Sequence, residues 1–440
     1  MLRQPVLTPA LTGRSVGNIK SHNLRAILLT LLGGGAQSRV RLAQATGLST
    51  TTITNLVNEL MLQGIVSESE PDVAADPFDM PGRPSGRPAT PIALVPGSRC
   101  ALGIHFGVDT LRAGMVDLLG NLSACRMIHH PADVPAMDVL DQAVELARSV
   151  LESERVVPES LVGIGVGASG LVDPDTGVNV LAPNLGWRDV PLAEVFGDRL
   201  GLPVLVDNNV RAMALAESMF GLGRGVNTLA FVYGRVGLGA GFVVGGQIYR
   251  GTRAGAGEIG HTTVIPVDGA ACRCGNTGCL ETLVSETVIV RRALILAAQQ
   301  PGSILAARLR DALAPEQVGG APEQRDGAAA HDGAAIDAVF AAARAGDCEA
   351  LALIEGCAQH MGTALANLVN LINPDMIVLG GLFASGKDLM LPVIEETMHR
   401  RSFAGLGRAV TLCVSEFGPN VGVVGAAALA LDAFFYKQDM

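Results

Sequence analysis

Aromatic residues are scarce in this chain: one Trp, three Tyr and twelve Phe make up 4% of its 440 residues. A stacking platform for single-stranded nucleic acid needs several such rings on one face, so that class of protein is excluded. Charged residues are also few, 17% against 49% apolar, a balance that buries a core and excludes a disordered chain. No apolar run reaches the roughly 18–20 residues that span a bilayer. The nearest, "VGVVGAAALALDAFF", is broken by Asp432 and rich in Ala, and reads as a buried helix. The first residues lack the apolar core of a secretory signal, and eight cysteines, three of them clustered, do not make a secreted disulfide framework. A cytoplasmic location is expected.

What is abundant is length and glycine. A chain of 440 residues exceeds one ordinary core and implies two or three domains. Fifty-four glycines predict many tight turns and close backbone approaches. Charge is unevenly spread. Met1 to Val66 holds six basic residues (Arg3, Arg14, Lys20, Arg25, Arg39, Arg41) and one acid, Glu59, which leaves the rest of a chain of net −10 at −15. A basic head on an acidic body suggests that only the head meets a polyanion.

The head has helical grammar. Leu24, Ile27, Leu28 and Leu31 form one stripe, ended by Gly33 to Gly35. Ser38 can cap a second helix with Val40, Leu42 and Ala43 inside. Gly47 turns the chain, and Ser49 can cap a third helix that buries Ile53, Leu56, Val57 and Leu60. Two short helices about a Gly turn make a helix-turn-helix, whose second helix presents its N-terminal residues to base edges. Ser49, Thr50, Thr51, Thr52, Thr54 and Asn55 suit that role, since hydroxyls and amides bond to bases or phosphates. With Arg39 they are the candidate DNA-binding residues; a three-helix bundle with a merely wet face is the alternative. The following "GRPSGRP" could lay Arg83 and Arg87 in a narrow minor groove, but a stiff Pro-rich spacer with two solvated arginines explains it equally simply.

From about Pro91 the pattern becomes hairpins, then alternating strands and helices, with Gly loops at the strand ends. Such loops let a backbone approach phosphate or sugar closely. Near the middle, "GEIGHTTVIPVDGAACRCGNTGCLE" packs His261, Cys272, Cys274 and Cys279 into one glycine-broken stretch. Four soft ligands close a tetrahedral Zn²⁺ site with no open position, the structural type; free thiols in a reducing cytosol would be the alternative.

The order "GASGLVDPDTG", "APNLGW", "DNNVRAMALAE", a Gly hairpin, "GEIGH", "CRCGNTGCLE" and "NPDMIVLGG" resembles the ROK family of repressors, open reading frames and sugar kinases, over nearly all the body. Behind a helix-turn-helix, it resembles the regulator branch. The resemblance implies an α/β chain: an N-terminal winged helix-turn-helix (1–70), a wing and linker (71–95), and a two-lobed actin/hexokinase-like, ribonuclease H-like domain (96–440). It also assigns a structural zinc. It further implies that Asn184, Asn208, Asn209, Glu258, His261 and Glu281 line a sugar pocket; second-shell or solvated carboxylates are the plain alternative for Glu258 and Glu281. Chemically, carboxylates, amides and an imidazole match ring hydroxyls, which both donate and accept.

The chain departs from a kinase at two places. Phosphoryl transfer needs a base at the accepting hydroxyl. Kinases of this family carry Asp where Asn209 stands, and an amide takes no proton at neutral pH. Their first phosphate loop begins with Asp, where "GIHFGVDT" has His105; Val108 replaces a Gly, and Asp109 is out of place. The expectation is therefore a sugar-responsive regulator, in the sense of a repressor, with no catalytic residues. Its partners would be operator DNA and a sugar or sugar phosphate. A bifunctional kinase with a DNA-binding head is the alternative, and a transporter-protein partner is a third option within the family. Paired half-sites imply a homodimer or homotetramer. The Ala- and Gly-rich stretch near 314–334 reads as a mobile insertion, and Cys100, Cys125, Cys348, Cys357 and Cys413 read as core residues.

Overall fold

Local signals set the first elements. In the computed structural model, which describes residues 16–69, 90–130, 134–154, 157–314 and 328–437, α1 (Val16–Gly34) is followed by β1 (Gln37–Ser38), α2 (Arg39–Thr46) and α3 (Thr50–Leu62). Ser38 Oγ accepts from the Arg41 N–H at 3.3 Å, and Ser49 Oγ from the Thr52 N–H at 3.1 Å, each satisfying an orphan donor of a helix start. Gly47 ends α2 at φ 71°, a conformation that a β-carbon disfavours. Leu24, Ile27, Leu28, Leu31, Leu42, Ile53, Val57 and Leu60 are buried. Val40, expected inside, is 55% exposed: it is the second residue of a short helix whose buried side is carried by Leu42. The strands β2 (Val66–Glu68) and β3 (Pro91–Leu94) complete a small sheet in which β3 lies between β1 and β2, antiparallel to both. Helices followed by a sheet of this order make a winged helix-turn-helix. Arg83 and Arg87 fall outside the described residues.

The chain divides into one unit of Met1–Ser98 with Asp432–Met440, and a second of Arg99–Leu431. Residues 432–440, expected from sequence to belong to the body, thus group with the first unit.

The second unit repeats one plan twice. Its first sheet has β4 (Cys100–Phe106), β5 (Thr110–Asp117) and β6 (Leu122–His129) as an antiparallel meander; β7 (Leu161–Ala168) and β11 (Val204–Asn208) add in parallel beyond β4. Helix α4 (Ala136–Glu154) covers this sheet. Between β7 and β11 lie β8 (Leu171–Asp173), β9 (Val178–Ala182), β10 (Trp187–Val190) and α5 (Leu192–Leu200). After α6 (Asn209–Met219) the second sheet begins with β12 (Thr228–Gly234), β13 (Leu238–Val244) and β14 (Gln247–Tyr249), again antiparallel. A helical group follows: α7 (Glu281–Val284), α8 (Glu286–Gln299), α9 (Ile304–Leu313), α10 (Ala328–Arg344) and α11 (Cys348–Ile372). Then β15 (Met376–Gly381) and β16 (Thr411–Val414) add in parallel beyond β12, with α12 (Leu382–Ser385) and α13 (Lys387–Arg401) between them. Residues 328–334, read from sequence as loop, belong to α10. Alanine there favours helix more than the neighbouring glycine signals oppose it.

Two helices join the lobes. α14 (Val421–Leu431) is buried at every residue and packs on β4 and β7, while α6 packs on β12 and β13 and against α14. The stretch Gly418–Tyr436 is apolar enough to cross a membrane by length and composition, and its α14 portion is instead core. Contact is close because glycines face it: a β-carbon at Gly165 would meet the Ala426 carbonyl, and one at Gly103 the Val423 carbonyl. Gly165→Val is therefore expected to cost about 1–3 kcal/mol, read as a lower urea midpoint. An unchanged midpoint would show that α14 is free to shift. Of the cysteines read as core, Cys357 is buried and Cys100 and Cys413 are half-buried. Cys125 and Cys348 are exposed, because each sits on the outer side of its strand or at a helix start.

Candidate functional site

The two sheets face each other across a cavity of about 430 Å³ within the second unit. All six residues implied by the sequence, Asn184, Asn208, Asn209, Glu258, His261 and Glu281, are among its lining. They arrive on different elements: Asn184 after β9, Asn208 and Asn209 at the β11–α6 junction, Glu258 and His261 on the strap after β14, Glu281 at the start of α7.

Their side chains are not equally free. Asn208 caps α6: its Oδ1 accepts from the Val210 and Arg211 N–H groups at 2.9 and 3.2 Å, and its Nδ2 donates to the Gly170 carbonyl at 2.9 Å. That side chain is occupied by folding. Asn209, buried, donates to Ser169 Oγ at 3.2 Å and accepts from the Val210 N–H at 3.0 Å. Glu281 accepts from the Leu238 N–H through Oε2 at 2.9 Å, which fixes the carboxylate at the base of the Gly hairpin. Arg273, a residue the sequence reading missed, donates to Asn184 Oδ1 at 3.0 Å from the cysteine loop. No short-range pattern signals that contact, because the partners are 89 residues apart.

The cysteine loop abuts the same cavity. Ligand atoms of His261, Cys272, Cys274 and Cys279 lie within 4.8 Å of one another and could hold a metal ion. Cys272 Sγ is 3.6 Å from His261 Nδ1, and Cys274 Sγ is 3.7 Å from Cys279 Sγ. Around an ion with Zn–N near 2.0–2.1 Å and Zn–S near 2.3 Å, tetrahedral corners lie about 3.6 and 3.8 Å apart, so these two donor pairs already stand at the required spacing. Gly275 and Gly278 have φ of 92° and 70°, and a β-carbon at Gly278 would strike the Ile265 carbonyl. Burial, then the thiols of Cys274 and Cys272, pushes Cys279 up to about 12. The Asn276 N–H, then Cys272, holds Cys274 below its usual value. A bound cation would favour the thiolate of both. With Nδ1 turned to the cluster, His261 Nε2 lies 3.9 Å from Glu258 Oε2, on the cavity side.

At the other end of the cavity stands His105. It is buried, neither ring nitrogen has a hydrogen-bond partner among the described residues, and burial, followed by the charges of Arg112 and Arg235, pushes it down to about 3. Asp109, in the β4–β5 loop, faces Arg235 of the Gly hairpin at 3.6 Å. The carboxylate beside the two asparagines, Asp207, is fully buried and bound to Arg211 and Arg250.

On the winged helix, Thr50, Thr51, Thr54 and Asn55 are exposed along one side of α3. Thr52 Oγ1 is 2.9 Å from Ser49 Oγ, and Thr54 Oγ1 donates to the Thr50 carbonyl at 2.8 Å. Arg39 Nη1 is paired with Glu68 of β2 at 3.3 Å.

A winged helix-turn-helix followed by a two-lobed, kinase-like domain with a cleft between its sheets is the construction of a ligand-responsive transcriptional regulator. The chain belongs to the ROK family, which it matches over residues 101–433. The xylose repressor of Caldicellulosiruptor bescii is 28% identical over 414 residues, 94% of this chain and 96% of that protein. The crystal structure of a ROK family transcriptional regulator, a homologue of the Escherichia coli MLC protein, matches with a TM-score of 0.74 and 25% identity, covering 95% of this chain and 97% of that one. A ROK family glucokinase from Streptomyces griseus, solved with glucose and AMPPNP, matches with a TM-score of 0.64 and 30% identity, but covers 76% of this chain and 99% of its own. The regulators are matched along nearly the full chain, the kinase along only part of it.

Proposed function

We propose that this chain is a sugar-responsive transcriptional repressor whose second unit binds its effector without phosphorylating it. The observation that carries the reading is the joining of a winged helix-turn-helix to a kinase-like cleft with an amide, Asn209, where the resemblance places a kinase's Asp. Asn209 is an amide, the adjacent Asp207 is buried between two arginines, and His105 stands at the phosphate loop with burial holding it neutral. α3 would enter the major groove with Ser49, Thr50, Thr51, Thr52, Thr54 and Asn55 at its leading end. Arg39, and Arg83 and Arg87 beyond the described residues, would contact phosphates or the minor groove; Arg39 would have to exchange Glu68 for phosphate. A homodimer or homotetramer would match paired half-sites.

Effector hydroxyls would meet Glu258, Glu281, Asn184, Asn209 and His261 Nε2, while Asn208 shapes the wall. We assign zinc to the cluster of His261, Cys272, Cys274 and Cys279, on its donor set and spacing. All four positions would be filled by protein, so zinc would hold the loop and orient His261, a structural service. A cytoplasmic location fits these free thiols and an operator partner.

The test pairs binding with chemistry. D-xylose, D-glucose and their phosphates are screened by thermal unfolding of the full chain. A sugar present at 100 times its Kd should stabilise by about 2.7 kcal/mol. The sugar that binds should change operator affinity, Glu281→Ala should weaken sugar binding at least 10-fold, and ATP should yield no ADP above background. ADP formed at the rate of a kinase would reverse the assignment, and an operator affinity indifferent to a bound sugar would sink the sensor reading.

A further inference from the structure

The cavity's two walls share an anchor that lies outside it. One wall is the β11–α6 junction with Asn208 and Asn209; the other is the strap of Gly255, Ala256, Gly257 and Glu258. The strap enters through a turn in an unfavourable conformation: Arg253 (φ 55°, ψ 31°) and Ala254 (φ 52°) are consecutive non-glycine residues in the left-handed region. Two such residues in succession persist only when the surroundings over-determine them.

Part of that surrounding converges on one carboxylate through Arg211. Asp207, at the end of β11, is fully buried. Its Oδ1 accepts from Arg211 Nε at 2.7 Å, and its Oδ2 from Arg250 Nε at 2.8 Å. Arg211, itself 2% exposed, spends Nη1 on the Ala254 carbonyl at 2.6 Å, in the strained turn. Arg250 holds the strap a second time, since its carbonyl accepts from the Ala256 N–H at 3.0 Å. Asp207 also accepts from the N–H of Asn208 at 2.7 Å, next to the helix cap. Asp207 belongs to the first sheet, whereas Arg250 and the strap follow β14 of the second. A buried guanidinium needs its counter-charge, so Arg211 reaches Ala254 only while Asp207 is in place.

We infer that Asp207, Arg211 and Arg250 are positioning residues that tie the Asn208–Asn209 wall to the Glu258 strap, so that the ligand-binding geometry is set across the lobe boundary by one ion cluster. None of the three lines the cavity. The inference rests on the reading of that cavity as the effector site, but its first test needs no effector.

Hydrogen exchange is followed at the strap amides, 255–260, and in α11 as an internal control, in the full chain. Arg250 is partly exposed, so Arg250→Gln should fold, and it removes only one link. Exchange at the strap should rise at least 10-fold with α11 unchanged, and Arg250→Lys, which keeps the charge, should restore part of the protection. Arg211→Lys keeps a cation for Asp207 but cannot fork to Ala254, and should also loosen the strap. The sugar that stabilises the wild type, D-xylose or D-glucose, should bind Arg250→Gln at least 10-fold more weakly. Strap exchange equal to wild type in both Arg250→Gln and Arg211→Lys overturns the inference. So does a rise of the same size in α11, which would mean that the cluster carries general stability. If neither these sugars nor their phosphates bind the wild type while the strap responds, the effector reading fails and the positioning role stands.

Discussion

Cys279→Ser is expected to abolish the zinc binding proposed for the wild type, and with it the sugar response. Cys279 is the innermost of the four donors, fully buried, and its sulfur stands 3.7 Å from that of Cys274. A three-donor remnant would bind far more weakly, since metal binding and loop folding are one free-energy term, of order 10 kcal/mol for closed zinc sites in small domains. The loop from His261 to Cys279 buries few large side chains of its own. It is held by bridges between Thr263 and Cys279 and between Ala271 and Thr277, so loss of the ion should open it. His261 and Arg273 would leave the cavity together. Metal content by plasma emission and the sugar-induced rise in Tm are the measurements, with operator binding in the absence of sugar as the control for a folded winged helix. A Cys279→Ser protein that retains stoichiometric zinc and its full sugar response would show that this cluster is not the metal site.

The second large effect concerns pH. His105 is pushed down to about 3 in the folded chain, against 6.5 for an unperturbed imidazole. Between those values the unfolded chain takes a proton that the folded one refuses, so unfolding is favoured as pH falls. The stability is complete above pH 6.5 and is lost progressively down to about 3. At about 1.4 kcal/mol per pH unit, the loss between pH 6.5 and 4 is about 3 kcal/mol. His105→Gln removes that proton while keeping a polar side chain against Gly422. Urea unfolding of both proteins at pH 7, 6, 5 and 4 isolates the effect, because carboxylates and metal ligands titrate alike in the two and cancel. The two stability curves should converge or cross on acidification, the variant falling less. Parallel curves would mean that the imidazole is hydrated and titrates normally. The same burial bears on function: a neutral ring can neither coordinate Mg²⁺ as a carboxylate does nor clamp a phosphate as a cation.

What was legible in the sequence is what neighbours decide. Ser38 and Ser49 cap their helices because the N–H groups they satisfy are three residues away. Gly47, Gly275 and Gly278 turn where only glycine turns easily, and three of the four residues that could hold a metal fall within eight residues of chain. The hairpins β4–β5 and β12–β13 announce themselves by alternation and a short Gly loop. The tertiary structure alone decided the rest. It buried α6 at every residue but Ser218, Arg211 and Glu217 included. It spent Asn208 on a helix cap, brought Arg273 to Asn184, and gathered two arginines on Asp207. Val40 went outside and residues 328–334 became helix. The physical reason is range. Caps, turns and strand alternation are fixed by backbone hydrogen bonds and sterics within a few residues. The state of a polar side chain in a two-lobed protein depends on which distant surface desolvates it, and on whether a partner of opposite charge arrives with that surface.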